Sequence, residues 1–193
     1  MKRIRVKQLF REKEVFKDQE VVICGWVRTN RAQAQFGFLN INDGSFFDNV
    51  QVVYDNTLQN FDEISKFRVG VSVQITGKVV LTPEMKQPLE LHAVEVKMLG
   101  DCPENFPIQP KRHTREFLRE LAYLRPRTNL FNAVFRVRSV AAHAIHEYFQ
   151  ERGFVYFHAP LITASDCEGA GEMFQVTTLD LENLPKTEDG KID

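Results

Sequence analysis

Apolar and polar residues alternate through five runs in the first half of the chain: 21–28, 37–42, 50–54, 71–80 and 89–96. Each run is rich in β-branched or aromatic residues and is bounded by Gly, Asn, Asp or Pro, so each predicts a strand. Between the third and fourth runs, residues 58–66 predict a helix. The pattern changes after residue 102. Pro103, Pro107 and Pro110 break helix and central strand alike and mark a hinge. A short amphipathic stretch follows (Phe117, Leu118, Leu121, Leu124). Then Leu130, Val134, Val137, Ala141, Ala144 and Tyr148 recur at helical spacing. Thr128 or Asn129 can cap that helix and Gly153 can stop it. Phe154-Val155-Tyr156-Phe157 predicts a strand ending at Pro160, and residues 181–193 are polar and acidic.

Five strands with a helix between the third and fourth are the order of a five-stranded OB-fold barrel, whose face commonly binds oligonucleotides. Strand parity then sorts its side chains. Leu39 and Ile41 pointing inward turn Phe38 and Asn40 outward, Val50 and Val52 turn Gln51 outward, and Leu89 and Leu91 turn Glu90 outward. An aromatic plane, an amide and a carboxylate together can stack a base and read its Watson–Crick edge. Arg28 and Arg31, at the end of the first strand and in the following turn, add candidate base or phosphate contacts. On these residues alone, an aromatic covering a barrel end among ordinary surface polar groups is the commoner origin of such a pattern.

With 193 residues, 43% of them hydrophobic and 26% charged, the chain can bury a core as one domain or two small ones. No apolar run approaches the roughly 18 residues of a spanning helix, and the charged opening residues precede no signal-peptide core, which makes a cytoplasmic location the expectation and no membrane partner. Cys24, Cys102 and Cys167 are odd in number and contain no Cys-x-x-Cys, so they support neither a disulfide framework nor a zinc site. The net charge of −1 conceals an asymmetry. Residues 111–138 carry eight Lys or Arg against Glu116 and Glu120, whereas residues 166–193 carry eight acids against Lys186 and Lys191. The basic run is a candidate phosphate contact, although a solvated charged face more often explains one.

Four stretches carry a family resemblance: Cys24-Gly25-Trp26-Val27, the run from Pro110 to Arg119, Leu124-Arg125-Pro126-Arg127-Thr128, and the run from Gly153 to Ile162. Together they resemble class II aminoacyl-tRNA synthetases of the aspartate, asparagine and lysine subgroup, over nearly the whole chain. The run from Cys167 to Val176 resembles the asparagine-specific branch; aspartate-specific members usually carry Arg-Asp after the Glu-Gly-Ala.

The resemblance implies an OB-fold anticodon-binding domain over 1–102, a hinge over 103–128, and over 129–193 the start of an α+β catalytic domain with an incomplete antiparallel sheet and helices. It implies that Phe38 stacks on the central anticodon base, that Gln51 recognises that uridine, and that Arg31 and Glu90 make further anticodon contacts. Glu168 would pair with the α-ammonium of the bound amino acid. Gly153, Phe154 and Pro160 would belong to the motif through which such enzymes form homodimers. The implied reaction is ATP-dependent ligation of asparagine to its tRNA, with Mg2+ as the accompanying ion. The two later motifs that hold ATP in this class, one with Phe-Arg-x-Glu and one Gly-rich and ending in Glu-Arg, do not occur before Asp193. The resemblance therefore implies no complete catalytic set here and an inactive 193-residue chain. An aspartate-type relative and a stand-alone OB-fold RNA-binding module are the alternatives.

Three further patterns point away from chemistry. His143, His146 and Glu147 match neither helical zinc-protease spacing, so no metal site is expected. Cys167 has no argued base partner, and Gly169-Ala170-Gly171 lacks the later glycine or lysine of a phosphate loop.

Overall fold

Alternation of β-branched residues folds residues 20–100 into strands β1 (Glu20–Ala32), β2 (Phe36–Asn42), β3 (Val50–Asp55), β4 (Ser72–Leu81) and β5 (Leu89–Gly100). In the computed structural model, which describes residues 3–160, 162, 174 and 176–191, they close into a barrel of order β1-β2-β3-β5-β4. Every ladder is antiparallel except β3 with β5. The five strands and the helical connection are those the sequence predicts. The helix itself is shorter than expected, α3 (Phe61–Ile64) flanked by turns.

Closure removes the sheet edges, and one side chain in two fills the interior. Ile23, Val27, Leu39, Ile41, Val50, Val52, Val73, Ile75 and Leu91 are fully buried there. The N-terminal helices α1 (Val6–Arg11) and α2 (Lys13–Phe16) precede β1, and Val6 and Leu9 of α1 join the same core. Asp43 and Ser45 in the β2–β3 loop hold the start of α1 by accepting from the Val6 and Lys7 amides, each at 3.0 Å.

The one large polar group in this core is satisfied. Tyr54 donates its hydroxyl to Asn30 Oδ1 at 2.9 Å, and Asn30 Nδ2 reaches the carbonyls of Ile64, Ser65 and Phe67. Burial raises the Tyr54 phenol above its ordinary value, with the Asn30 bond acting the other way. The ring lies so close to β2 that a Cβ on Gly37 would stand 2.3 Å from it, which requires glycine at that position.

Two compact units divide the chain, Met1–Ile145 and His146–Asp193. In the first, Cys102, Ile108 and Leu118 of the Pro-rich segment and the short helix α4 (Arg115–Glu120) are buried. Thr114 caps α4 by accepting from the Phe117 amide at 3.2 Å. After a 3₁₀ turn over Arg125–Arg127, helix α5 (Asn129–Glu151) starts at Thr128, whose hydroxyl accepts from the Phe131 amide. In the second unit, α5 ends as predicted at Gly153, with φ of +83°. The Gly153 amide donates to Gln150 O, the Phe154 amide donates to Phe149 O, and the Phe149 and Phe154 rings meet at 5.3 Å. That is a Schellman ending with its usual apolar contact.

One expectation fails. Residues 154–157 form no strand, and beyond Gly100 the described residues contain none. A strand exists through its neighbour's hydrogen bonds, and among the described residues nothing pairs with this segment. Phe154, Val155 and Phe157 are exposed.

Candidate nucleic-acid interface

A β-bulge determines which β1 side chains reach the outer face. Val27 pairs with Ile41 and Thr29 with Asn40, leaving Arg28 as the extra residue. Counting by twos from the buried Val27 would send Arg31 inward. The bulge reverses that parity, so Asn30 faces Tyr54 in the core and Arg31 lies outside, opposite Phe38.

The ladders then place the predicted residues side by side. Asn40 pairs with Gln51, and Gln51 with Glu90. Arg31 Nη2 donates to Gln51 Oε1 at 3.2 Å, and Gln51 Nε2 donates to Glu90 Oε1 at 2.7 Å. This fixes the orientation of the amide: turned over, it would set oxygen against carboxylate and nitrogen against guanidinium. One amide hydrogen and one lone pair of Gln51 are left for a ligand. The Arg31 guanidinium lies 5.4 Å from the centre of the Phe38 ring, and Phe36 meets Phe38 edge-on at 5.6 Å. Phe38 is half-buried, with Arg31 on its ring.

Glu90 sits on the outer face as parity requires, yet it is only 8% exposed. Gln51 and Gln87 cover it, for Gln87 Nε2 also donates to Glu90 Oε1 at 2.7 Å, and His92 Nε2 lies 3.7 Å from Oε2. The β4–β5 loop that carries Gln87 is closed by Thr82, which donates through Oγ1 to Gln87 O and through its amide to Pro88 O. Thr29, Arg31, Asn40, Gln51, Lys86 and Gln87 line a shallow trough of about 850 Å³. Arg31 and Lys86 bring positive charge to it and Asp48 a negative one, while the Glu90 carboxylate is occupied by two amides. Such a surface can stack a base, offer a donor–acceptor pair to its edge and attract phosphate.

Phe38, Arg31, Gln51 and Glu90 therefore come together, and Arg28 does not join them. It donates through Nη1 to the carbonyl of Arg127, and burial, then the Arg127 charge, lowers its pKa. Glu168 lies outside the described residues. Gly153 ends α5, and Phe154 and Pro160 follow it exposed. Sequence parity missed Gln87 and Lys86 because both lie in a turn, where no period applies; Pro88, just before β5, is the signal that a loop approaches Glu90. Among the described residues, no three His, Cys, Asp or Glu side chains gather as a metal site.

Residues 21–99, which span nearly all of the barrel, match the family described as OB-fold nucleic acid binding domain, and residues 114–186 match that of class II tRNA synthetases (D, K and N). Over all 193 residues the chain is 55% identical to the asparagine–tRNA ligase of Clostridium tetani and 58% identical to that of Clostridium novyi. The chain is similar to the N-terminal portion of asparaginyl-tRNA synthetases. It spans 42% of the length of each of those two relatives and corresponds to their N-terminal portion. The Acholeplasma laidlawii asparagine–tRNA ligase, 56% identical over 98% of the chain, is covered to a similar 41%.

Solved structures show the same fold. The asparaginyl-tRNA synthetase of Pyrococcus horikoshii, complexed with asparaginyl-adenylate, aligns with a TM-score of 0.80 over 93% of this chain and 41% of its own, at 23% identity. The aspartyl-tRNA synthetase of Entamoeba histolytica aligns with a TM-score of 0.70 over 83% of this chain and 39% of its own, at 17% identity. The fold is thus shared with both asparaginyl- and aspartyl-tRNA synthetases.

Proposed function

We propose that this chain is the anticodon-reading part of an enzyme that joins asparagine to its tRNA at the expense of ATP. The Arg31–Gln51–Glu90 hydrogen-bond chain beside Phe38 carries the reading. The Phe38 ring stacks on an unstacked anticodon base, a contact worth about 1–3 kcal/mol. Gln51, held between a guanidinium and a carboxylate, turns its free hydrogen and lone pair to the edge of a uridine. Glu90, with Gln87 behind it, fixes that amide, and Arg31 adds charge beside the ring.

The remaining roles belong to the full-length enzyme. Glu168 pairs with the ammonium of asparagine, since a charge-assisted hydrogen bond in a closed site both binds and orients the substrate. Gly153, Phe154 and Pro160, following a helix without a buried residue, contribute to a two-fold homodimer surface. ATP and Mg2+ are its cofactors. No residue of this chain is assigned to them. No helix among the described residues is long and apolar enough to cross a membrane, and a cytoplasmic location follows from service to protein synthesis.

Binding of the 193-residue chain to an asparagine anticodon stem-loop tests the barrel reading. Phe38→Ala and Gln51→Ala each weaken binding by about 1–3 kcal/mol. Gln51→Ala also loses the preference for uridine at the central position. Wild-type affinity in both variants would rule the site out.

A further inference from the structure

The basic run between residues 111 and 138 has no part in the anticodon face, and three arginines converge elsewhere. Arg28, set apart by the β1 bulge, donates to the Arg127 carbonyl; the Arg127 guanidinium lies 4.7 Å over the ring of Trp26; and Arg136 Nη2 donates to Gly44 O at 2.7 Å. Trp26, Arg28, Asn42, Arg127, Asn129 and Asn132 line a groove of about 330 Å³. Arg136 joins it through Asn132, to whose Oδ1 its Nε donates at 2.7 Å.

The positive charge here is uncompensated. None of the three guanidiniums forms an ion pair among the described residues; those of Arg28 and Arg136 meet carbonyl and amide oxygens instead. Nearby Asp43 turns its carboxylate onto the Val6 and Ser45 amides and the Ser45 hydroxyl. Helix α5 begins at this groove and has no acid in its first turn, so its dipole adds to the field. Like charges of this kind cost free energy until an anion divides them, and burial of Arg28 increases that cost.

We infer that this groove seats a phosphodiester of the RNA backbone, held by Arg28, Arg127 and Arg136 apart from the anticodon face. Arg127 covers one face of the Trp26 ring, and the side-chain amides of Asn129 and Asn132 beside it suit ribose and phosphate oxygens, whereas that of Asn42 is used within its own loop. Trp26 pairs with Asn42 at one end of the β1–β2 ladder, whereas Arg31 pairs with Phe38 near the other. At about 3.3 Å per residue the two sites lie roughly 15 Å apart along β1. One RNA can therefore touch both through nucleotides a few steps apart. The inference rests on RNA as the ligand of the barrel.

Trp26 is the only tryptophan in the chain and reports on the groove directly. The 193-residue chain is titrated with an asparagine-tRNA transcript at several salt concentrations while Trp26 fluorescence is read. The emission changes and saturates. Arg127→Gln and Arg136→Gln each reduce the slope of log affinity against log salt by about 0.7–0.9. Each weakens binding by the same factor for a transcript with an altered anticodon. Phe38→Ala does the reverse, losing anticodon preference while keeping the salt slope and the saturating Trp26 signal. Melting temperatures establish that the variants fold; should Arg127→Gln not, Arg136→Gln on the helix surface decides. An unchanged salt slope in a folded Arg136→Gln overturns the inference while leaving the anticodon reading intact. A Trp26 change of equal size with inorganic phosphate alone assigns the groove to a free anion and overturns it too. A wild-type chain that binds no RNA overturns both readings.

Discussion

The barrel strands and helix α5 are both amphipathic, and among the described residues only the barrel buries its apolar face. Leu39, Ile41, Val52 and Ile75 vanish into an interior closed by their own sheet. Across its 23 residues α5 buries none, and Val137, Val140, Ile145 and Tyr148 stand exposed. A period in the sequence thus states that a face will be covered, without stating by which surface. For the barrel the covering surface is local in the fold. For α5 no surface among the described residues covers it.

The largest effect separates these two regions. Ile75→Ala should destabilise the 193-residue chain by about 2–5 kcal/mol, read as a lowered urea midpoint with unchanged slope. Val137→Ala, at a position 69% exposed, should cost under about 0.5 kcal/mol. Equal losses would mean that α5 is packed within this chain after all. In the full-length enzyme the same Val137→Ala should weaken dimerisation, measured by sedimentation against concentration.

Next in size is the point where barrel core meets candidate site. Gly37→Ala places a Cβ against the Tyr54 ring, and overpacking of this kind costs about 1–3 kcal/mol. Because Phe38 is the next residue, the substitution should also weaken stem-loop binding. Gly44→Ala, where an added Cβ meets nothing within 4 Å but φ is +78°, tests backbone strain without crowding. It should cost about 1 kcal/mol and leave the preference for uridine in the stem-loop unchanged.

Phe38, Gln51 and Glu90 were legible because strand parity is a local rule: three alternating runs place three outward side chains. Their convergence was not, since it depends on which strands pair. Gln51 meets Glu90 only through the parallel β3–β5 ladder that closes the barrel. Arg31 needed the bulge at Arg28, which no run of apolar residues announces. The expected strand at 154–157 shows the converse error. Phe-Val-Tyr-Phe has strand propensity, yet propensity supplies no hydrogen-bond partner. The end of α5 was readable in full, because a Schellman ending is built from residues adjacent in the chain.

The smallest effect concerns the alkaline limit of the barrel unit. Burial raises the Tyr54 phenol above its ordinary 10.0, and burial followed by the Asp101 charge raises the Cys102 thiol above 9.0. Both groups are neutral when protonated, so the unfolded chain loses these protons at lower pH than the folded one. Their contribution to stability is therefore intact below pH 9, begins to fall as the unfolded thiol ionises, and falls further above pH 10 until the folded groups ionise. Chemical denaturation between pH 8 and 11 should show stability declining in that window. Cys102→Ala should remove the earlier part of the decline and Tyr54→Phe the later part. Tyr54→Phe should also cost about 1 kcal/mol at neutral pH, because Asn30 Oδ1 then loses its donor. A decline that Tyr54→Phe leaves unchanged would place the alkaline transition outside the barrel core.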